Sequence, residues 1–371
     1  MSQHVSDSPA GPRLARVSPS RRSLLLGAAA VAPLVALGAG TAHGMGEFHD
    51  AGGLRMVDHW VHDEIRSVDF RVDTGGMVKT FDPSLRVTVP PSYAEKPDTR
   101  YPVLVLLHGR GGFYQDWTNQ GNVVEQTEEH EVIVVSPDGG AGSFYSNANF
   151  PILGREAAWE SFIMEQMLPF VHANFRTDPE RMAIGGLSMG GWGALSLGQR
   201  YWGHFRSVSS YSGPADCSNR SDHARLVRAT IWICPVFDKD KYPLTANLPG
   251  ATWGTDWDRR LATSYNPSEN IDRFRDKRVF LRTGDGGWDD VLGAIKERPD
   301  LLGTFLAELD EHGMDFIESV VHHTQEDFSA ELTSAGIEHD YELIPGATHD
   351  WDLWKANLAE DLPGMMKVLT S

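Results

Sequence analysis

Residues Gly186-Leu187-Ser188-Met189-Gly190 narrow the folds open to this chain more than any other stretch. Arg181-Met182-Ala183-Ile184-Gly185 reads as a strand leading into them, and Gly190-Gly191-Trp192-Gly193-Ala194 opens a helical pattern. A strand that becomes a helix within so few residues strains the backbone of the turn. Glycines on either side of the serine remove Cβ atoms that would collide there. The helix N-terminus behind the serine favours developing negative charge. G-x-S-x-G in a strand–turn–helix context is a nucleophile elbow, so Ser188 is read as a nucleophile.

The rest of the chain suits such a turn. Val103-Leu104-Val105-Leu106-Leu107 and Val132-Ile133-Val134-Val135 are apolar on both faces, as central strands of a parallel sheet covered on both sides must be. Strands are expected near 65–72, 85–90, 102–107, 131–136, 181–185, 206–211, 278–283 and 340–345. Helices are expected over 156–174, 189–201, 295–312, 319–335 and 352–369. In the first of these, Trp159, Phe162, Ile163, Gln166, Met167 and Phe170 form one stripe. Strands alternating with helices imply βαβ units and one mostly parallel, doubly wound sheet of eight strands, and with the nucleophile elbow on it the expected fold is that of an α/β-hydrolase. Residues 213–277 and 285–317 break the rhythm and read as cap-like insertions at the carboxyl end of the sheet, within a single domain over 43–371.

The first 42 residues read differently. Arg21-Arg22 precede an apolar run from Leu24 to Ala39, about 16 residues long and short for a membrane span. Gly40 and Ala42 supply small residues ahead of His43, so residues 1–42 are expected to be a twin-arginine export signal cleaved before His43. The protein is then expected outside the cytoplasm or in the cell envelope, with no membrane span after cleavage. The formal charge of the chain is −18, and the signal carries Arg13, Arg16, Arg21 and Arg22 against Asp7, leaving −21 on the remainder. A surface so acidic repels nucleic acid and anionic membranes; it suits a neutral substrate, as an ester of a small molecule, lipid or sugar would be, or simply solubility in a salty exterior. Cys217 and Cys234 would close a loop of about 17 residues if paired; two separate buried thiols are equally compatible with their spacing.

A serine nucleophile needs a base, an acid and an oxyanion site. The last expected strand runs into Gly346-Ala347-Thr348-His349-Asp350-Trp351, where this fold carries its histidine, so His349 is the expected base. Position alone nominates Asp285 or Asp289 as the acid, just after the strand ending at Thr283, and Glu318 is their rival. The pattern does not choose among them. His108-Gly109-Arg110-Gly111-Gly112 follows the third strand, and the amides of Arg110 and Met189 are the expected oxyanion donors. Trp117, Trp192, Trp253, Trp257 and Trp288 suit core packing better than a sugar or lipid groove. His322-His323 followed by Glu326 and Asp327 offers a zinc site as one reading and a polar helix surface as the plainer one, and His59 with His62 shares a helical spacing. No H-E-x-x-H motif, P-loop or dinucleotide fingerprint is present, so no metal or organic cofactor is expected.

These residues resemble the esterase family that contains esterase D, feruloyl esterases and the secreted mycolyltransferases of mycobacteria and corynebacteria. The similarity runs from about 100 to 365, nearest the actinobacterial mycolyltransferase-like esterases. It rests on the elbow, on Pro137-Asp138-Gly139-Gly140-Ala141-Gly142-Ser143-Phe144-Tyr145-Ser146, on Trp159-Glu160-Ser161-Phe162 ahead of Pro169, on Trp253-Gly254, Trp257 and Asn266-Pro267, and on His349-Asp350-Trp351 with Trp354. The resemblance implies that the acid is the glutamate of Phe316-Ile317-Glu318, 31 residues before His349. Two departures bear on substrate. His108-Gly109-Arg110 stands where mycolyltransferases carry an Asp-Gly-Leu-Arg-like run that helps bind trehalose, and the cysteine pair after their Phe-Tyr-Ser block is replaced by Asn149 to Arg155. The expectation is a secreted serine ester hydrolase or acyltransferase with Ser188, His349 and Glu318 as its triad. Fatty-acyl transfer to trehalose or another hydroxyl is the alternative within the family, and a non-catalytic binding protein on the same fold is the alternative outside it.

Overall fold

The computed structural model describes residues 43–79, 82–149, 156–218, 220–233, 253, 259–287 and 302–371. The expected export signal, Asp289, Cys234, Trp257 and Trp288 lie outside the described residues. Among the described residues nine strands form one sheet: β1 (Arg55–His62), β2 (Ser67–Asp73), β3 (Ser84–Thr88), β4 (Tyr101–Leu107), β5 (Ile133–Pro137), β6 (Thr177–Leu187), β7 (Ser207–Tyr211), β8 (Arg278–Gly284) and β9 (Asp340–Ile344). Their spatial order is β1-β2-β3-β5-β4-β6-β7-β8-β9. Every pair from β5 to β9 is parallel, and β1, β2 and β3 are joined to one another and to β5 in antiparallel fashion.

The eight expected strands are all present, and the sheet has a ninth. β1 is mostly exposed and carries a bulge between Met56 and Asp58, so it shows neither a continuous apolar run nor an alternation. His59 and His62 lie on this strand, not on a helix. His62 Nε2 is 3.0 Å from the Asp69 carboxylate of β2.

The major helical elements are α1 over 159–174, α2 (Met189–Arg200), α3 (Asp222–Ile233), α4 (Arg259–Tyr265), α5 (Leu302–Ser334) and α6 (Trp351–Thr370). In α1 the middle turn, Phe162–Met167, is wound as a π-helix. Pro169 follows directly; it has no N–H to give to the preceding turn, and the ladder widens beside it. The two helices expected over 295–312 and 319–335 are one continuous helix, α5. α5 runs through Gly313, since a glycine weakens a helix by only about 1 kcal/mol and does not by itself end one. Within 213–277, the described residues include α3, α4 and short 3₁₀ turns at Pro267–Glu269 and Ile271–Phe274.

The apolar strands divide their side chains between two cores. Val103, Val105, Leu107, Ile133 and Val135 join one core with Phe162, Ile163 and Met167 of α1 and Leu195 and Leu197 of α2. Leu104, Leu106, Val132 and Val134 join the other, against Leu358, Leu362, Met365 and Leu369 of α6. This alternation is what a strand buried on both faces requires. The chain lays β5 on one side of β4 and then returns to lay β6 on the other, so β4 and β6 flank the point where the strand order reverses. Open α/β sheets hold their sites at that crevice, beyond the carboxyl ends of the strands.

Candidate active site

Ser188 sits on the tight turn between β6 and α2. Its φ and ψ are 52° and −118°, a conformation non-glycine residues rarely adopt. Ser188 N donates to Tyr211 O at 2.8 Å, and Trp192 N donates to Ser188 O at 3.1 Å, so the strained turn is held from both sides. A Cβ on Gly186 would lie 2.4 Å from Gly190 O, and one on Gly190 would lie 2.3 Å from Leu107 O. Both glycines of the pentapeptide are therefore fixed by close backbone approach.

His349 lies in the loop between β9 and α6, and it is buried. Ser188 Oγ and His349 Nε2 are 2.8 Å apart. On the other side of the ring, His349 Nδ1 is 2.5 Å from Glu318 Oε2. A carboxylate only accepts, so the network assigns the proton to Nδ1 and leaves Nε2 to accept from the serine hydroxyl. Glu318 is fully buried on α5, at 0% exposure. Its Oε1 accepts from Ser212 Oγ at 2.8 Å, Thr283 Oγ1 at 2.8 Å and Gly284 N at 2.5 Å. Trp354 Nε1 donates to Ser212 Oγ at 3.0 Å, and its ring stands edge-on to His349 with centroids 5.0 Å apart. Ser212 and Thr283 carry no local pattern, because nothing in sequence marks a residue that serves a site by holding another; Trp354 was part of the histidine block that carries the resemblance, with no role assigned to it.

The carboxylate beside His349 is thus Glu318. Asp285 does something else: its Oδ1 accepts from Gly346 N at 2.9 Å and Gly287 N at 3.2 Å, tying the turn after β8 to the turn after β9. Asp350 caps α6 through Asp352 N and Leu353 N at 2.9 and 3.1 Å. Partial burial pushes its carboxyl up, but the Thr348 hydroxyl and these two amides outweigh that and hold it below the usual range. The loop carrying His349 is anchored at both ends.

The loop after β4 faces Ser188. Gly111 N donates to Ala141 O at 2.8 Å and Gly112 N to Gly109 O at 3.1 Å, so the first amide ties this loop to the one after β5 and the second closes the loop on itself. Arg110 and Met189 line the cavity beside Ser188, and Met189 is the first residue of α2, where an N–H has no intrahelical acceptor. His108 fixes the loop from beneath. Gly139 N donates to its Nε2 at 2.9 Å, so the ring proton is on Nδ1, which donates to Gly109 O at 2.7 Å. Burial pushes the His108 pKa down and keeps the ring neutral. Asp138 accepts from Ser84 N at 2.8 Å and Tyr114 N at 3.1 Å. Its burial pushes the carboxyl up to about 7, against those two amides.

A cavity of about 510 Å³ opens onto Ser188. Phe144, Pro214, Val227, Ile317, Val320 and Val321 give it an apolar side, while Asp116, Gln120, Thr348 and Asp350 give it a polar one. Trp117, Trp192 and Trp253 are buried in the packing. Cys217 is a buried free thiol whose pKa is raised by burial.

The sequence profile of the family described as Putative esterase matches residues 81–365. The chain belongs to this esterase family. Esterase Rv1288 of Mycobacterium tuberculosis (strain ATCC 25618 / H37Rv) is 34% identical over 307 residues, covering 80% of this chain and 58% of that protein. The chain thus spans less than two thirds of that relative. The diacylglycerol acyltransferase/mycolyltransferase Ag85C of Mycobacterium avium is 26% identical over 268 residues, 70% of this chain and 67% of its own. Among solved structures, the S-formylglutathione hydrolase from Agrobacterium tumefaciens aligns with a TM-score of 0.60 at 16% identity, over 85% of this chain and 99% of that one. The family member described here has the α/β-hydrolase fold of that neighbour.

Proposed function

We propose that the chain is an exported serine carboxylic-ester hydrolase or acyltransferase working through an acyl-serine intermediate. One observation carries the reading: the unbroken run from Ser188 Oγ through His349 to the buried Glu318, at 2.8 and 2.5 Å, opening onto a half-apolar cavity. Ser188 Oγ attacks the ester carbonyl carbon and gives its proton to His349 Nε2. The carbonyl oxygen becomes an oxyanion that accepts from the amides of Met189 and Arg110. Collapse of the tetrahedral adduct breaks the bond to the alkoxy oxygen, which leaves with the proton from Nε2. Water or a second alcohol then attacks the acyl-serine, His349 takes its proton, and Ser188 is regenerated. Glu318 keeps the imidazole in the productive tautomer and stabilises the imidazolium.

Hydrolysis is the first reading. Transfer to a sugar hydroxyl is the second, favoured by the Ag85C relationship, and His108-Gly109-Arg110 weakens the case for trehalose as acceptor. The experiment is turnover of p-nitrophenyl acyl esters of several lengths, with and without trehalose, beside Ser188→Ala. The wild type is expected to release nitrophenol and free acid, and the variant to lose at least about 10⁴-fold in kcat. Acylated sugar would make it a transferase. No release at any acyl length would remove the enzyme reading in favour of a binding protein. Export through residues 1–42 is tested by N-terminal sequencing of the mature protein, which is expected to begin at His43.

A further inference from the structure

A second group of chemically able side chains lies outside the serine site, on the seam between α3 and α5. His322, His323 and Glu326 each offer one donor atom within 4.8 Å of the other two. Their spacing on α5 is i, i+1 and i+4, which puts His322 and Glu326 on one face a turn apart. The His322 and His323 rings have centroids 3.9 Å apart, tilted by 39°. His223 of α3 stacks on His323 at 4.4 Å, and its Nδ1 is 3.2 Å from the carboxylate of Asp327. Three imidazoles and two carboxylates therefore meet at one place. Arg220, just before α3, pairs with Asp216 and Glu331. Among the described residues, no ion pair involves Glu326.

We propose that His322, His323 and Glu326 form a site for a divalent transition metal of the zinc class, bridging toward α3 through His223 and Asp327. Two imidazole nitrogens and a carboxylate oxygen are a ligand set that suits Zn²⁺ and its neighbours, and disfavours Mg²⁺ and Ca²⁺, which take oxygen shells. Tetrahedral Zn²⁺ with bonds of 2.0–2.1 Å separates its ligand atoms by about 3.3 Å. The three donors already lie within 4.8 Å of one another, so binding asks them to draw closer by at most about 1.5 Å. His322 is the buried anchor, while His323 is half-buried and Glu326 exposed, so the two that must turn have room to do so. Asp327, four residues beyond His323, or a water takes the fourth position. The polar helix surface read from the sequence becomes a metal clamp once α3 is folded onto it.

The clamp has a consequence for the serine site. His322 lies one turn beyond Glu318 on α5, and Val320, Val321 and the α3 residue Val227 line the apolar side of the cavity. A metal held there by α5 orders His323 and Asp327, the two residues against which His223 of α3 packs, and so bears on one side of that wall.

The test uses the full chain, stripped with EDTA and titrated calorimetrically with Zn²⁺ at neutral pH. One Zn²⁺ per chain is expected, with micromolar affinity or better, unaffected by excess Mg²⁺ and accompanied by a rise in melting temperature. Co²⁺ in its place is expected to give the visible absorption of a tetrahedral ion. His323→Asn and Glu326→Gln should each weaken binding by at least about tenfold and remove that absorption. Glu326 is exposed, so Glu326→Gln carries the test if the histidine variant does not fold. His349→Ala should leave binding intact. Absence of saturable Zn²⁺ binding overturns the proposal. So does binding that survives Glu326→Gln and His323→Asn but is lost in His349→Ala, which would put the ion at the serine site.

Discussion

The two oxygens of the Glu318 carboxylate have separate tasks. Oε2 accepts from His349, and Oε1 accepts from Ser212, Thr283 and the Gly284 amide. A glutamine cannot do both. Its NH₂ would face either three donors or the Nδ1–H of His349, and in the second case the ring turns to the tautomer that cannot accept from Ser188. Glu318→Gln is therefore expected to lower kcat by about 10³–10⁴-fold while the protein stays folded. Asp285→Asn, which keeps a carbonyl for the amides of Gly287 and Gly346, should stay within about threefold of wild type. Steady-state kinetics on the two variants separates the acids, and equal losses would contradict the assignment. Position in the chain had left Asp285, Asp289 and Glu318 as rivals. The resemblance of Phe316-Ile317-Glu318 is what pointed to Glu318; spacing alone could not, because what brings it under His349 is the path of α5 across the end of β8, a tertiary fact. Ser188 and His349 were legible because the turn and loop that hold them leave marks in sequence: glycines in one case, the end of the last strand in the other.

Elements were legible in proportion to their burial. The strands of the parallel half are apolar on both faces, and their bounds fall within a few residues of expectation. β1 was missed because an edge strand exposed along most of its length has no periodicity to read. α5 was expected as two helices with a gap between them, and it runs as one from Leu302 to Ser334. The elbow is where element and residue scales meet. A Cβ on Gly190 would sit 2.3 Å from the Leu107 carbonyl oxygen, a backbone atom at the end of a central strand that cannot step aside. Gly190→Ala is expected to destabilise the fold by more than about 2 kcal/mol, since α2 must pull away from β4 to admit the methyl. Urea denaturation measures this. A midpoint equal to the wild type's would mean that β4 and α2 are less closely apposed than described.

At the scale of the whole molecule, charge couples the site to pH. The chain carries −18, yet few of its acids are buried without a cation, and Asp138 is one of them. Burial raises its carboxyl to about 7, helped by the nearby charges of Asp116 and Asp69 and opposed by the amides of Ser84 and Tyr114. In the unfolded chain an aspartate titrates near 3.9. Below that value both states are protonated, and the contribution of Asp138 to stability is fully present. As pH rises toward 7 the unfolded state ionises while the folded state holds its proton, so the contribution is lost through that window. At about 1.4 kcal/mol per pKa unit the loss is of order a few kcal/mol. His108, whose pKa burial lowers, acts in the opposite sense and weakens the fold as pH falls, which makes an absolute stability at one pH uninformative. The difference of slopes isolates Asp138. Between pH 5 and 8, unfolding free energy of the wild type should fall more steeply with pH than that of Asp138→Asn, whatever the asparagine costs in absolute terms. Because Asp138 accepts from Tyr114 N and His108 accepts from Gly139 N, the same titration bears on the loop that faces Ser188. Parallel slopes for the two proteins would mean that Asp138 is ionised in the folded state, with its two amide donors sufficient to hold the charge.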